Sequence, residues 1–204
     1  MNKLDIFPTE VFWFDWGGDV EALLEHTKKQ NLIPLSGVAD QSKPYIHLLD
    51  GYKELFTWID ECSEQIRTHY QLHCDKLSLT TAWINRYQPK QYIHYHRHPM
   101  AAFSGVFFLT GGAPLVLKDP NIWRTNHSTI PISRLDRPQF ELEPIPGRAV
   151  MFPWWLEHES VNTLDSERWS IAFNTMPSGK INYDDGHNLS SAELEVAIRG
   201  LEVK

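Results

Sequence analysis

The hydrophobic pattern of the first third of the chain is mainly helical. Residues 11–14 are aromatic or β-branched and predict a strand. Asp19 is suited to cap a helix over 20–30. Residues 32–47 contain two prolines and a glycine and are typical of a loop. Apolar residues recur at three- and four-residue steps over about 52–70, which predicts the longest helix.

The pattern changes to a period of two after residue 77, and turn-forming residues interrupt it. Strands are predicted over 77–87, 103–110, 115–117, 140–145, 148–152 and 168–176. A last helix is expected over about 191–199, because Ser190 and Glu193 form a capping box. Two helices followed by many strands predict a mainly β fold, an antiparallel sandwich or jelly-roll with the N-terminal helices packed on one sheet.

Length and composition favour one globular domain. The chain has 204 residues, of which 42% are hydrophobic and 22% charged. We expect a single domain over 1–204, with an N-terminal strand and helices over 1–76, a β core over 77–176 and a C-terminal helix over 177–204.

Charge and apolar runs narrow the expected partners. Nineteen basic and twenty-six acidic residues give a net charge of −7, which argues against binding to duplex nucleic acid. No apolar run approaches the roughly 20 residues that span a bilayer, so no membrane association is expected. The N-terminus has no apolar signal core, and the chain has two cysteines, which favours the cytoplasm.

Three histidines alternate in the segment before Pro99. In an extended chain His94, His96 and His98 would share one face, and Pro99 favours extended backbone at the residue before it. Imidazoles two residues apart on a strand can chelate one metal ion, and imidazole suits iron, copper, zinc and nickel. The alternative is a polar strand face with ordinary histidines.

Two later segments offer partners for this site. His158 follows a strand that looks buried, and it is a candidate third ligand. Arg168 opens an apolar strand on which Ser170 shares its face. An arginine directed into a barrel needs an anionic partner, because an unpaired buried charge is costly. The alternative is a surface arginine at a strand end.

The order of these residues resembles the iron(II)- and 2-oxoglutarate-dependent oxygenases, whose pattern is His-x-Asp/Glu, a distal His, and an Arg or Lys further on. More closely, the chain resembles a small bacterial and phage branch of that superfamily. The stretches that carry the resemblance are 7–9, 96–99, 104–109, 152–158 and 168–174. The resemblance implies a double-stranded β-helix, which is a cupin-like jelly-roll.

The resemblance also implies roles for individual residues. Iron(II) would be bound by His96, His98 and His158, and Arg168 with Ser170 would hold the 5-carboxylate of the cosubstrate 2-oxoglutarate. Asn85 and Tyr87 would also bind 2-oxoglutarate. Three further residues would either support a metal ligand or contact the substrate: His94, Trp155 and Trp123. Ordinary strand polarity is the alternative for Asn85 and Tyr87. Trp123 lies in the long connection 119–138, which could bind a ligand. The alternative is that this connection is a surface loop with no role in function.

His98 departs from the family pattern, because relatives carry a carboxylate at this position. Three neutral imidazoles leave one more positive charge on the site than two imidazoles and a carboxylate. Two outcomes stay open. Either His98 completes a three-histidine site, or His96 and His158 bind the metal alone and water fills the gap, as in aspartyl β-hydroxylase-like enzymes.

The expected activity is hydroxylation with release of succinate and CO2, on a small-molecule or peptidyl substrate that the sequence does not identify. One alternative is a three-histidine, cupin-type thiol dioxygenase that does not use 2-oxoglutarate, in which Arg168 binds a substrate carboxylate. Another is a non-enzymatic jelly-roll that binds a small molecule. The oligomeric state stays open, a homodimer included.

Overall fold

The computed structural model describes residues 7–121, 139–161, 165–182 and 192–194. The helices of this part are α1 (Val20–Thr27) and α2 (Lys53–His69), and short 3-10 turns at Ile46–Leu48 and Asp50–Tyr52 lead into α2. The strands are β1 (Phe12–Asp15), β2 (Asp40–Gln41), β3 (Cys74–Tyr87), β4 (Tyr92–His96), β5 (Phe103–Phe108), β6 (Leu115–Lys118), β7 (Gln139–Leu142), β8 (Arg148–Pro153), β9 (His158–Val161), β10 (Arg168–Ile181) and β11 (Ala192–Leu194).

These strands form two antiparallel sheets. The larger sheet has the order β1-β8-β5-β10-β3-β2, and β11 pairs with the C-terminal part of β10. The smaller sheet has the order β4-β9-β6-β7. Strands that are distant in sequence are neighbours in both sheets, as expected of a jelly-roll. The predicted mainly β fold with flanking helices is confirmed.

The helices cover one face of the larger sheet. Trp169, Ile171 and Phe173 alternate along β10 and pack in a core with the buried face of α2. The Asp19 side chain caps α1 by accepting a hydrogen bond from the Ala22 N–H at 2.9 Å, as predicted. The N-terminal helices therefore lie on one sheet, and the other face of that sheet is left for the smaller sheet.

A β-bulge in β3 allows residues before and after it to face the helix-side core. The register with β10 shifts between Asn174 and Thr175, so that Thr80 is skipped. As a result Leu79 and Ala82 both belong to the helix-side core. Beyond the bulge, alternate residues of β3 face the space between the sheets.

A second, smaller core lies between the two sheets. It contains the buried residues Val106, Phe108, Leu115, Leu117, Val150, Phe152 and Leu156. This core fixes the distance between the sheets, and the side chains of β4, β9 and β10 surround the space beside it.

The structure overturns the helix predicted over 191–199 where it can be compared. Ala192–Leu194 is strand β11, antiparallel to Gly179–Ile181 of β10, and residues 195–199 lie outside the described part. The extension of β10 to Ile181 offers backbone groups for pairing, and this pairing outweighs a local capping pattern.

Two short strands arise in segments for which no strand was predicted. β2 pairs with β3 within the predicted loop 32–47, and β9, which carries His158, pairs with both β4 and β6. Both are too short to show a clear period of two by themselves. Neither described helix has the length and apolarity needed to cross a bilayer.

Candidate active site

A cavity of about 520 Å³ opens between the two sheets. Its apolar wall is formed by Trp83, Ile93, Val106, Leu115 and Phe152. Its polar lining includes Gln41, Asn85, His96, His98, Ser104, His158, Ser170 and Asn174. An apolar cavity with a few convergent polar groups is the usual form of an active site.

Three imidazoles meet at this cavity. His96 on β4 lies opposite His158 on β9, with ring centroids 4.3 Å apart. His98 follows the end of β4, and its ring centroid lies 5.0 Å from that of His96 and 5.1 Å from that of His158. One ligand atom from each residue lies within 4.8 Å of the others, so that the three could hold one metal ion.

Hydrogen bonds orient two of these rings. Nδ1 of His96 lies 2.7 Å from the carbonyl oxygen of His94, and Nδ1 of His158 lies 2.9 Å from that of Leu156. A carbonyl oxygen only accepts, so each Nδ1 carries the proton and each Nε2 keeps its lone pair for a metal. Nε2 of His98 is buried without a hydrogen-bond partner among the described residues.

Burial keeps two of the imidazoles neutral. It lowers the pKa of His158 to about 3, with a further lowering from the neighbouring His96. It also lowers the pKa of His98 to about 4, again with a contribution from His96, while a hydrogen bond to Asn174 opposes the change. At neutral pH no proton therefore competes with a metal for these two rings.

The prediction that His94 shares a face with His96 and His98 is wrong. The pairing of β4 with β9 shifts between Ile93 and His96, which inserts one extra residue into β4. Ile93 and His96 line the cavity, whereas the His94 side chain is exposed and lies against the ring of Tyr92. His94 contacts the site through its carbonyl oxygen, which accepts the hydrogen bond from His96.

Arg168 is buried on β10; it is not itself among the residues that line the cavity, whereas Ser170 on the same strand and Tyr87 opposite it are. The Arg168 side chain is 1% exposed, and none of its three guanidinium nitrogens has a hydrogen-bond partner among the described residues. The guanidinium carbon lies 4.9 Å from the ring centroid of Tyr87 and 5.7 Å from that of Phe108. Burial lowers the pKa of this guanidinium, and Tyr87 opposes the change. A surface arginine at a strand end, the alternative weighed from sequence, does not fit these contacts.

Neighbouring positions of β3 and β10 form a polar ladder that starts at Arg168. Arg168 lies opposite Tyr87, and Ser170 lies opposite Asn85. The Ser170 hydroxyl is buried without a partner among the described residues. The Asn85 carbonyl oxygen accepts a hydrogen bond from Nε2 of Gln41 at 2.8 Å. Burial raises the pKa of Tyr87, opposed by the charge of Arg168 and a hydrogen bond with Ser160.

Some lining residues were not predicted. Gln41 stands on β2, in a segment whose sequence is typical of a loop, and no sequence signal placed it near β3. Trp83 stacks on His98 with ring centroids 5.6 Å apart and an interplanar angle of 18°. Trp83 shares the strand face of Asn85 and Tyr87, so a period of two could have identified it.

One predicted tryptophan does not line the cavity. Trp155 follows β8 with 38% of its side chain exposed, and it is not among the residues that line the cavity. Trp123 lies outside the described residues.

The residues of this site fit iron(II) and 2-oxoglutarate. Three converging imidazoles, two of them kept neutral by burial, are a suitable donor set for iron. The unpartnered Arg168 guanidinium and Ser170 hydroxyl are donors that a carboxylate would satisfy. Apart from His98, which follows the end of β4, these side chains stand on strands.

The comparison with protein families agrees with this fit. Residues 81–174 match the family model described as "Putative 2OG-Fe(II) oxygenase", and this range contains the three histidines, Arg168 and Ser170. A search of curated proteins finds no match. The family match supports an iron(II)- and 2-oxoglutarate-dependent oxygenase, and the resemblance seen in the sequence is confirmed.

Solved structures with the same fold share little sequence with the chain. A prolyl-4-hydroxylase from Pseudomonas putida is 12% identical with a TM-score of 0.59, over 84% of this chain and 94% of that one. The α-ketoglutarate-dependent epimerase SnoN from nogalamycin biosynthesis is 12% identical with a TM-score of 0.65, over 85% and 80%. HygX from Streptomyces hygroscopicus, solved with nickel and 2-oxoglutarate bound, is 8% identical with a TM-score of 0.60, over 83% of each chain.

Proposed function

We propose that this oxygenase binds iron(II) through His96, His98 and His158, holds the 5-carboxylate of 2-oxoglutarate with Arg168 and Ser170, and hydroxylates a small-molecule or peptidyl substrate. The observation that carries the 2-oxoglutarate part is the buried, unpartnered guanidinium of Arg168. Such a charge is stable in an interior only with an anion beside it. A dicarboxylate that enters the cavity supplies that anion.

The chemistry resides in the bound groups. Iron(II), 2-oxoglutarate and dioxygen, when bound, would supply it: 2-oxoglutarate would be converted to succinate and CO2 with one oxygen atom of dioxygen, and the other oxygen atom would be inserted into a C–H bond of the substrate. The protein supplies the three imidazoles that would hold the metal, two of them kept neutral by burial, and the groups that would orient the cosubstrate.

Arg168 and Ser170 act together on the distal carboxylate. They stand two residues apart on β10, so that both side chains point to the same face. The guanidinium can donate two parallel hydrogen bonds to one carboxylate, and the Ser170 hydroxyl can add a third. The aromatic rings of Tyr87 and Phe108 hold the guanidinium in place and keep water away from it.

The amide pair of Asn85 and Gln41 supports the middle of the cosubstrate site. Gln41 donates its hydrogen bond to the carbonyl oxygen of Asn85, which leaves the NH2 group of Asn85 to donate into the cavity. Tyr87 lies on the same strand face, beside Arg168. We propose that Asn85 and Tyr87 orient 2-oxoglutarate between the metal and Arg168.

The position of His98 favours a site with three histidine ligands. It argues against the alternative, in which water takes the place of His98. Its ring stacks on Trp83 and faces the other two imidazoles. Its Nε2 is buried and has no partner among the described residues, as a ligand atom without its metal would be.

Succinate formation tests the function. Iron-loaded protein, prepared under nitrogen and then exposed to oxygen, is expected to convert 2-oxoglutarate slowly to succinate even without the natural substrate. His158→Ala, treated in the same way, should form none. Absence of both succinate and calorimetric 2-oxoglutarate binding in the wild type would contradict the proposal.

The three-histidine donor set also favours one second candidate, a thiol dioxygenase in which Arg168 binds a substrate carboxylate. This candidate predicts oxygen consumption with a carboxylate-bearing thiol such as cysteine, without 2-oxoglutarate and without succinate. Parallel assays with each compound alone separate the two functions.

A further inference from the structure

The side-chain amide of Asn85 on β3 is bonded at only one of its two ends. Asn85 is 4% exposed and lines the cavity between the sheets. Its carbonyl oxygen accepts the 2.8 Å hydrogen bond from Nε2 of Gln41, whereas its NH2 group has no partner among the described residues. Because an amide carries an acceptor at one end and two donors at the other, the end left for a ligand is the donor end.

The orientation of this amide matters because its neighbours are also donors. On β10, Ser170 stands opposite Asn85, and Arg168 stands two residues before Ser170. The Ser170 hydroxyl and the Arg168 guanidinium are buried without partners among the described residues. With its NH2 group free, Asn85 adds a third donor for the carboxylates of one anion. A reversed amide would instead present its carbonyl oxygen, an acceptor that repels an anion.

Gln41 is itself held in place by the pairing of β2. Its backbone N–H donates to the carbonyl oxygen of Ile33 at 3.2 Å, and its carbonyl oxygen accepts from the Ile33 N–H at 2.7 Å. The preceding residue, Asp40, is buried and pairs with Arg86, with Nη2 and Oδ2 2.6 Å apart. Arg86 and Asn85 are neighbours on β3, so their side chains point to opposite faces. Side chains therefore tie β2 to β3 on both faces of the sheet.

We propose that Gln41 is a positioning residue for the cosubstrate: it holds the carbonyl oxygen of Asn85 and so keeps the NH2 group of Asn85 directed at 2-oxoglutarate. The inference rests on the proposed cosubstrate site and deepens it, because it gives β2, which carries no metal ligand, control over cosubstrate affinity. Gln41 acts through Asn85 and needs no contact with 2-oxoglutarate. Without Gln41, the buried Asn85 oxygen loses its partner, and the amide is driven to turn that oxygen toward another donor.

Calorimetric titration of nickel(II)-loaded protein with 2-oxoglutarate, under nitrogen so that no turnover occurs, tests the inference. Gln41→Leu is expected to bind 2-oxoglutarate about 3- to 10-fold more weakly than wild type, the usual effect of one hydrogen bond. Gln41→Glu replaces the donor by an acceptor, so that the Asn85 NH2 group turns toward it and away from the cavity. This variant should lose more affinity than Gln41→Leu, and both should keep the nickel(II) affinity of the wild type.

A double-mutant cycle separates action through Asn85 from a direct effect of Gln41. In an Asn85→Leu background, Gln41→Leu and Gln41→Glu should each change 2-oxoglutarate affinity by no more than about 2-fold, the usual limit for uncoupled sites. Equal factors in the two backgrounds overturn the inference, because Gln41 would then act by direct contact, by charge or through the stability of β2. A Gln41→Leu variant indistinguishable from wild type overturns it as well. If Gln41→Leu does not fold, Gln41→Glu in both backgrounds decides.

Gln30→Leu is the matched control for the loss of a glutamine. Nε2 of Gln30 lies 3.3 Å from Nε2 of His26, just after α1, and Gln30 is not among the residues that line the cavity. Its 2-oxoglutarate affinity should equal that of the wild type. Thermal unfolding midpoints of all variants are measured in parallel. A loss of affinity that Gln30→Leu shares, and that follows the fall in midpoint, overturns the inference.

Failure of the cosubstrate site itself gives a different pattern. A wild type that binds nickel(II) but not 2-oxoglutarate removes both the proposed site and this inference. An Asn85→Leu variant that binds 2-oxoglutarate as tightly as the wild type removes Asn85 and this inference, and leaves the role of Arg168 intact. Where wild type binds and Asn85→Leu binds more weakly, the cycle decides the role of Gln41 alone.

Discussion

His96 and His158 stand directly opposite each other on β4 and β9, with ring centroids 4.3 Å apart, although they are far apart in sequence. The pairing of two strands of the smaller sheet thus creates half of the metal site. His98 completes the site from the turn after β4. Because two ligands are fixed by strand register, their geometry does not depend on a flexible loop.

Removal of His158 should abolish metal binding without unfolding the protein. We expect His158→Ala to lose stoichiometric iron(II), because two remaining imidazoles hold a divalent cation weakly. Elemental analysis after anaerobic loading measures occupancy, and circular dichroism checks the fold. His69→Ala is a suitable control, since His69 is half-exposed and pairs with Glu10 on the surface. Equal iron in the wild type and His158→Ala would refute the ligand assignment.

His98 should tolerate a carboxylate but not a hydrocarbon. We expect His98→Asp to retain iron(II), since it recreates the usual set of two histidines and one carboxylate. His98→Leu should bind iron(II) much more weakly, because no oxygen or nitrogen replaces the lost ligand. Titration of both variants under nitrogen decides the question. Near-normal affinity in His98→Leu would favour a site in which water takes the place of His98.

Arg168 should control the affinity for 2-oxoglutarate and not the affinity for iron. Loss of a buried, charge-assisted contact typically costs about 2–5 kcal/mol, so Arg168→Ala should weaken 2-oxoglutarate binding by about 30-fold or more. Arg168→Lys should recover only part of this, because an ammonium lacks the planar fork of the guanidinium. Calorimetry on iron-loaded protein measures both.

A matched control for Arg168 is Arg148→Ala. Arg148 already pairs with Asp15 at 2.7 Å on the surface, whereas the guanidinium of Arg168 is buried without a partner among the described residues, so loss of Arg148 should leave 2-oxoglutarate affinity unchanged. Unchanged affinity in Arg168→Ala would remove Arg168 from the site. Absence of 2-oxoglutarate binding in the wild type would instead favour the thiol dioxygenase.

The close approach of β5 to β10 requires glycine at position 105. A Cβ atom at Gly105 would collide with the ring of Phe173, which is fully buried in the helix-side core. Gly105→Ala is therefore expected to lower the free energy of unfolding by about 1–3 kcal/mol, the usual effect of overpacking a core. Urea denaturation measures the change. Gly111→Ala is the control, since its Cβ would meet only an ordinary contact at 3.6 Å.

The sequence by itself determined the architecture and most of the chemistry. The change from a period near 3.6 to a period of two separated the helices from the β core, because each period reflects which side chains reach a buried face. The three metal-binding candidates were identifiable because imidazoles two residues apart on a strand can share one metal ion, and Arg168 because an arginine on an apolar strand needs an anionic partner. Their order along the chain produced the resemblance to the iron(II)- and 2-oxoglutarate-dependent oxygenases, which the family match supports.

Local sequence patterns did not predict the conformation of segments whose structure depends on pairing with another strand. The capping box at Ser190 and Glu193 predicted a helix, but the open edge of β10 turns Ala192–Leu194 into a strand. The alternation of His94, His96 and His98 predicted one shared face, but the bulge between Ile93 and His96 excludes the His94 side chain. A bulge is set by the register of two strands, which neither strand encodes alone.

Only the tertiary structure decided which side chains support one another around the cavity. Gln41 reaches Asn85 because β2 pairs with β3, and Asn174 bonds to both Thr81 and Ser104 because β10 lies between β3 and β5. These contacts join segments far apart in the chain, so neither composition nor periodicity contains them. The sequence thus determines which chemistry is available, and the sheet register determines where each donor and acceptor meets its partner, because hydrogen bonds require particular distances and angles that only packing can set.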